Sequence, residues 1–153
     1  MSISVKFVKV KEGAITPTLG SEKAAGCDLY AYVQPNDFGA QDPIVIRPHE
    51  TVKVGTGLAI QPPEGYFGAI FARSGLATKQ GLRPANCVGV CDEDYTGEYI
   101  VAIHNDSDTY KYINHGDRIA QLLFLPYLSV TFEEVDALDE TERGAGGFGS
   151  TGK

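Results

Sequence analysis

Four carboxylates, an aromatic ring and two glycines lie close together in the segment from Gly89 to Glu98, between two predicted strands. The two glycines allow backbone conformations that other residues avoid, so the segment can bend sharply as a hairpin and come close to a ligand. In an extended chain Asp92 and Asp94 would point to one face and Glu93 to the other. The pattern therefore predicts either a site with one pair of inward carboxylates or a solvated acidic turn.

Three further segments carry groups that could bind a phosphate or a metal. Arg73-Ser74-Gly75 combines a guanidinium, a hydroxyl and a permissive backbone directly after an apolar strand, which suits a phosphate oxygen. Asp28 offers a carboxylate on a strand beside a glycine, and Gln121 offers an amide where a turn enters a strand. Each of these alone is unspecific, since such residues often only satisfy a turn or a strand end.

The C-terminal segment 143–153 is rich in glycine and matches two nucleotide-binding patterns in part. Both patterns fail on context, because no strand precedes the segment and the chain stops where a helix must follow. Successive glycine amides with the Ser150 and Thr151 hydroxyls could still wrap an anion, with Arg143 supplying positive charge. A disordered linker is the alternative interpretation.

Length and composition favour a single all-β domain. The chain has 153 residues, with 18 glycines and 8 prolines, which indicates many turns. We expect a β domain over residues 1–135 and a flexible arm over residues 136–153. The net charge of −7 argues against binding to nucleic acid or to anionic membranes.

Short apolar runs separated by turn residues predict many strands and no long helix. A jelly roll is the architecture that such a pattern favours. Only residues 75–80 could form a short helical turn, with Ser74 as a possible cap. The predicted strands are Ile3–Val10, Asp28–Val33, Ile44–Ile46, Val52–Ile60, Tyr66–Phe71, Ala85–Val90, Tyr99–His104, Tyr110–Ile113, Arg118–Leu125 and Val130–Val135.

The sequence predicts a soluble cytoplasmic protein. Its first ten residues alternate apolar and polar side chains, unlike a signal peptide, and charges and prolines interrupt every apolar run well short of the ~20 residues of a membrane span. The three cysteines, Cys27, Cys87 and Cys91, are too few for a disulfide framework. We expect them to be reduced, half-buried structural thiols.

Five motifs in order resemble those of the trimeric deoxyuridine triphosphatases. The resemblance covers nearly the whole chain, and five ordered motifs are far more specific than any one of them. The motifs are Ala25-Gly26-Cys27-Asp28-Leu29-Tyr30-Ala31, Arg73-Ser74-Gly75-Leu76-Ala77, Gly89 to Glu98, Gly116 to Leu123, and Arg143 to Gly152.

The resemblance implies hydrolysis of dUTP to dUMP and pyrophosphate, which limits uracil incorporation into DNA and supplies dUMP for thymidylate synthesis. It implies that water, activated by Asp92, attacks the α-phosphate, that Tyr95 packs on the deoxyribose and that Asn86 helps to fix uracil. Asp28 would reach Mg²⁺ through water. The residues implied to contact the phosphates or to close over the substrate are Arg73, Ser74, Gly75, Gln121, Arg143, Phe148, Gly149, Ser150 and Thr151.

The family also implies a homotrimer in which three chains share each site. Two residues depart from its usual pattern: Cys91, where an aliphatic residue commonly precedes the catalytic aspartate, and Thr96, where a basic or amide side chain is frequent. Two alternatives remain open at this point. One is a regulatory protein that binds dUTP as a signal, and the other is a dCTP deaminase with the same fold.

Overall fold

The computed structural model describes residues 3–147. In this range the chain forms eleven strands and one short helix, α1 (Ser74–Gln80), which follows the sixth strand. The strands are β1 (Lys6–Lys9), β2 (Thr18–Leu19), β3 (Cys27–Tyr30), β4 (Ile44–Ile46), β5 (Thr51–Gln61), β6 (Tyr66–Phe71), β7 (Leu82–Pro84), β8 (Gly89–Cys91), β9 (Glu98–Asn105), β10 (Lys111–Ile113) and β11 (Arg118–Pro126).

The strands form two sheets and a two-stranded ribbon, and every pairing is antiparallel. One sheet has the strand order β1-β5-β9-β7, the other has the order β2-β3-β11-β6-β8, and β10 pairs with β4. Strands that are distant in sequence are neighbours in both sheets, as in a double-sheet jelly roll. The predicted all-β jelly-roll class is therefore confirmed.

The core is formed by apolar side chains that both sheets contribute. In β9 every second residue is buried, which leaves Tyr99, Val101 and Ile103 inside, as a strand with one covered face requires. Leu29 of β3 and Leu122 of β11 face them from the other sheet and are also fully buried. Each such side chain contributes about 1.5–3 kcal/mol of burial free energy, so the sheets form a rigid base for the segments between them.

Two side-chain hydrogen bonds join the start of β9 to the irregular part of β5. The register between β5 and β9 shifts between Gly55 and Ala59. In this bulge the hydroxyl of Thr56 donates to the Tyr99 carbonyl at 2.8 Å, and Gly57 N donates to Glu98 Oε1 at 2.8 Å. These bonds anchor the chain directly after the acidic segment, so Glu98 has a structural role.

The acidic segment is not a hairpin, which corrects the expectation from the sequence. Its two flanking strands belong to different sheets, since β8 pairs with β6 while β9 pairs with β5 and β7. The segment 92–97 therefore crosses from one sheet to the other. The predicted strand over Ala85–Val90 is also shorter than expected, because regular pairing begins only at Gly89.

Three other local expectations differ from the structure. No strand forms at Val130–Val135, and β11 ends at Pro126. Ser74 is the first helical residue of α1 and not its cap; the capping position is taken by Arg73 in an extended conformation, without a side-chain cap. The short strands β2 and β7 were not predicted, because Thr18-Leu19 and Leu82-Arg83-Pro84 contain no continuous apolar run.

Among residues 3–147, no helix has the length and apolar character needed to cross a membrane.

Candidate active site

The crossing segment 92–97 folds as a tight turn that displays Asp92 and Tyr95. Tyr95 N donates to the Asp92 carbonyl at 3.1 Å, and the Tyr95 hydroxyl donates to the Glu98 carbonyl at 2.9 Å. The Tyr95 ring lies directly over Gly97, where a Cβ atom would come within 2.5 Å of the Tyr95 hydroxyl. Gly97 is thus required by close packing, and the turn leaves both the Asp92 carboxylate and one side of the Tyr95 ring open to solvent.

An open cavity of about 730 Å³ lies against this turn. Asp92, Glu93 and Asp94 all line it, together with apolar side chains such as Phe67 and Val90. The expectation that Glu93 points to the opposite face from Asp92 and Asp94 is therefore wrong, since all three side chains line one cavity. Residues 93 and 94 form a turn, so the alternation of an extended chain does not apply. A concave surface that combines polar groups with apolar side chains is typical of small-molecule sites.

Asn86 lies just before β8, at the end of that strand opposite to Asp92. The side-chain nitrogen of Asn86 is beside Gly89, the first residue of β8, and the residue is exposed. A ligand along β8 could therefore contact Asn86 at one end and Asp92 at the other.

A second cluster joins Asp28 to two arginines. Arg73 Nε donates to Asp28 Oδ1 at 2.8 Å, and Arg118 Nη1 donates to Asp28 Oδ2 at 3.1 Å. The side chain of Asp28 is only 5% exposed, whereas those of Arg73 and Arg118 are 24% and 51% exposed. One buried carboxylate thus holds two partly exposed guanidinium groups side by side, which leaves a net positive charge at the surface.

This positive charge faces a cleft of about 390 Å³. Arg73, Gly75, Lys79 and Arg118 line the cleft, and Ser74 begins the helix on its wall. Gln121 lies on β11 opposite both Asp28 on β3 and Phe71 on β6. Four residues that the resemblance implies to contact phosphates therefore lie in one region, namely Arg73, Ser74, Gly75 and Gln121. Lys79 and Arg118 add two further cations to this region. Arg118 stands three residues before Gln121 in the same motif, but the motif alone did not single it out as a site residue.

Within one chain, the acidic turn and the basic cleft lie at opposite ends of β6. Cys91, directly before Asp92, pairs with Gly68 near the start of β6, whereas Arg73 lies beyond Phe71 at its end. Gly68 and Arg73 are five steps apart along a nearly extended chain, a span of about 16 Å. The two groups are thus not close neighbours in one protomer.

The C-terminal arm leaves the sheets after β11. Arg143 lies in a turn of this arm, where its Nε donates to the Gly146 carbonyl at 2.8 Å, and it is not part of the Asp28 cluster. The predicted contacts Phe148, Gly149, Ser150 and Thr151 lie outside the described residues. The role of the arm therefore stays a prediction.

Cys91 and Tyr99 lie beneath the acidic turn. Burial raises the pKa of the Cys91 thiol, and the negative charge of Asp92 adds to this increase in pKa, while a contact with Tyr99 opposes it. Burial also raises the pKa of Tyr99, whose hydroxyl is buried without a hydrogen-bond partner among the described residues. Cys27 and Cys91 are half-buried free thiols as expected, whereas Cys87 is exposed, which corrects the expectation for that residue.

Asp28 is a carboxylate that could contact a hydrated magnesium ion. In the described part of the chain, no group of three or more His, Cys, Asp or Glu side chains could hold a metal ion. Mg²⁺ commonly keeps several waters and binds one or two carboxylates plus substrate phosphates. Each Asp28 oxygen accepts one arginine bond and keeps a lone pair that a metal-bound water could use.

Replacing Asp28 with asparagine is expected to weaken both folding and phosphate binding. Breaking a buried ion pair costs about 3–5 kcal/mol, and because Arg73 and Arg118 are partly solvated, we expect a loss of about 2 kcal/mol. We also expect KM for a nucleotide triphosphate substrate to rise about tenfold, because the arginines lose their fixed orientation. Thermal melting and steady-state kinetics measure the two effects.

The Arg83–Asp106 pair provides a matched control for Asp28. It also has two hydrogen bonds, of 2.7 and 3.0 Å, but both side chains are more than 40% exposed. Asp106→Asn should cost less than about 1 kcal/mol and leave KM unchanged. Equal effects of the two substitutions would show that the Asp28 cluster has no special role.

Comparison with known proteins identifies the family. A family model described as dUTPase matches residues 12–152. The deoxyuridine 5'-triphosphate nucleotidohydrolase of Desulfitobacterium hafniense is 44% identical over 153 residues, covering 99% of this chain and 97% of that protein. The enzyme of the same name from Hydrogenobaculum sp. is 44% identical over 152 residues, covering 99% of each chain.

The fold comparison agrees with the sequence comparison. The solved dUTPase of Staphylococcus bacteriophage 80alpha with dUPNHPP superposes with a TM-score of 0.85 at 25% identity, covering 99% of this chain and 100% of that chain. The resemblance of the five ordered motifs is thereby confirmed. By its sequence over nearly its whole length and by its fold, this chain belongs to the dUTPase family.

Proposed function

We propose that the protein hydrolyses dUTP to dUMP and pyrophosphate, with Asp92 as the residue that activates the attacking water. Family membership supports the reaction. The observation that carries the proposal for the site is the pairing of an exposed carboxylate, Asp92, with the Tyr95 ring on one tight turn beside a large cavity. Consumption of dUTP by this reaction limits uracil incorporation into DNA and yields dUMP for thymidylate synthesis.

In the proposed reaction, Asp92 accepts a hydrogen bond from a water and takes its proton as the oxygen attacks the α-phosphate. The bond between the α-phosphorus and the bridging oxygen breaks, and pyrophosphate leaves with the electron pair. A positioned general base of this kind contributes about 10²–10⁴ in rate. The solvent-exposed carboxylate of Asp92 is free to take this role because it accepts no hydrogen bond within the described part of the chain.

Sugar and base would be recognised by the two ends of the β8 region. The open side of the Tyr95 ring can pack on deoxyribose and leave no room for a 2'-hydroxyl. Asn86, at the other end of β8, can bond to the uracil edge together with backbone groups. A base that left these polar groups unpaired would be rejected strongly, since each unpaired buried group costs about 1–3 kcal/mol.

The triphosphate would lie in the basic cleft. It carries about four negative charges, so the reaction depends on charge neutralisation more than on a covalent nucleophile. Arg73, Ser74, Gly75 and Gln121 would contact its oxygens, with Arg118 as an additional cation. When bound, Mg²⁺ neutralises charge on the phosphate oxygens, and Asp28 would contact it through water.

We further propose a homotrimer with sites shared between chains. The separation of Asp92 from Arg73 along β6 supports this, because one chain alone does not bring the proposed base and the proposed phosphate ligands together. The segment between β11 and the arm also exposes an alternating apolar row, with Leu128, Val130 and Phe132 each at least 70% exposed. Such a row is a strand pattern without a strand partner, and a second chain can cover it.

The experiment that tests the function is pyrophosphate release from dUTP compared with dTTP, dCTP and UTP at equal concentration with Mg²⁺. We expect turnover of dUTP and at least about hundredfold lower kcat/KM for the other three. Ammonia release from dCTP would identify a deaminase, and tight dUTP binding without pyrophosphate release would identify a binding protein. Either result contradicts the proposal.

A further inference from the structure

The Glu93 carboxylate connects three segments that are distant in sequence. Glu93 Oε2 accepts a hydrogen bond from Gly65 N at 2.8 Å and another from the Tyr127 hydroxyl at 2.8 Å. Tyr127 N in turn donates to the Gly65 carbonyl at 3.1 Å. Gly65 has a φ of 77°, a left-handed conformation that favours glycine. We call this closed ring of Glu93, Gly65 and Tyr127 the Glu93 clamp.

The clamp anchors the turn that carries Asp92. In the described part of the chain, the other hydrogen bonds of residues 92–97 stay local, namely Tyr95 N to Asp92 O and Tyr95 Oη to Glu98 O. Only the two bonds accepted by Glu93 join this turn to other segments. Since Glu93 is the next residue after Asp92, fixing its side chain restricts the backbone that orients the Asp92 carboxylate.

The clamp also ends at the root of the C-terminal arm. Tyr127 is the first residue after β11, where the chain leaves the sheet. The hydrogen bond to Glu93 raises the pKa of Tyr127, and the negative charges of Glu93, Asp94 and Asp92 act in the same direction. The Tyr127 hydroxyl therefore keeps its proton, and remains a donor to Glu93, to a somewhat higher pH than a free tyrosine does.

We propose that Glu93 is a positioning residue, which through the Glu93 clamp holds Asp92 in the orientation for water attack and connects that turn to the root of the C-terminal arm. The Glu93 carboxylate accepts hydrogen bonds from Gly65 and Tyr127. Its effect on the reaction therefore comes through the orientation of Asp92. A displacement of about 1 Å in a reacting group can cost up to a hundredfold in rate, so loss of the clamp should lower kcat more than it changes substrate affinity. This inference rests on the role proposed above for Asp92.

The test compares four variants of the full-length protein in dUTP hydrolysis. Glu93→Ala should lower kcat about tenfold with KM within about twofold of wild type. Tyr127→Phe removes one donor and should cost about threefold in kcat. The double variant should be no slower than Glu93→Ala alone, because the two side chains act as one unit. Glu93→Gln keeps an oxygen acceptor of the same reach and should recover most of the lost kcat.

Glu64→Ala is the matched control. Glu64 is an exposed neighbouring carboxylate without a side-chain hydrogen bond among those of residues 3–147, so it separates loss of negative charge from loss of the clamp. We expect its kcat to equal that of wild type. A Glu93→Ala protein with kcat within about twofold of wild type, or an equal loss in Glu64→Ala, would overturn the proposal.

Hydrogen exchange measures the clamp without using activity. The amides of residues 92–97 should exchange at least about tenfold faster in Glu93→Ala than in wild type, since local opening becomes easier. Unchanged exchange would show that the clamp does not order the turn. If wild type failed to release pyrophosphate from dUTP, the proposed function would be wrong, and the exchange result would still decide whether the clamp exists.

Discussion

Replacing Asp92 with asparagine is expected to lower kcat for dUTP hydrolysis about 10³-fold, which corresponds to about 4 kcal/mol of transition-state stabilisation. Asparagine keeps the size and the hydrogen-bonding oxygen of the side chain but cannot accept the proton of the attacking water. Asp92 is exposed at the cavity and has no place in the core, so stability should not change. KM should stay within about threefold, because the proposed phosphate ligands are untouched.

Asp94→Asn is the control for this prediction. Asp94 lies two residues away, is exposed and lines the same cavity, so its substitution removes the same charge from the same surface. We expect it to keep most of the activity. Pyrophosphate release under steady-state conditions measures both variants. Near-normal turnover by Asp92→Asn would show that another group activates the water.

Deletion of residues 143–153 is expected to lower activity by about a hundredfold or more while the fold stays intact. The deletion removes Arg143, Phe148, Ser150 and Thr151, which the family resemblance implies to contact the phosphates or to close over the substrate. A cation placed at a reacting phosphate is commonly worth about 10³ or more in rate. Among residues 3–147, none after Leu122 belongs to the buried core, so the melting temperature should match that of the full-length protein.

Light scattering and a shorter deletion complete this experiment. Removal of residues 152–153 alone keeps every proposed contact, and we expect full activity from it. Both deletions should have the mass of a trimer, since residues 128–135, with their exposed apolar row, remain. Full turnover by the longer deletion would contradict the closing role of the arm, and a monomer mass for the full-length protein would contradict the shared site.

Local sequence patterns were sufficient for most of the strands. Short apolar runs bounded by turn residues predicted Ile44–Ile46 and Tyr66–Phe71 with their observed bounds, because β propensity and turn chemistry are local properties. The stretch Val130–Val135 was also predicted as a strand but forms none. A strand is stable only when another strand edge accepts its backbone bonds, and local sequence does not specify that edge.

The sequence by itself determined the fold class, the order of the motifs and the residue types of the site, because these depend on composition, period and spacing along the chain. The tertiary structure decided that residues 92–97 cross between sheets, that Asp28 is shared by Arg73 and Arg118, and that Glu93 bonds to Gly65 and Tyr127. The hydrogen bonds of Asp28 and Glu93 join residues that are 28 to 90 positions apart in the chain. Contacts of that range depend on strand order and register, which many weak packing interactions determine together.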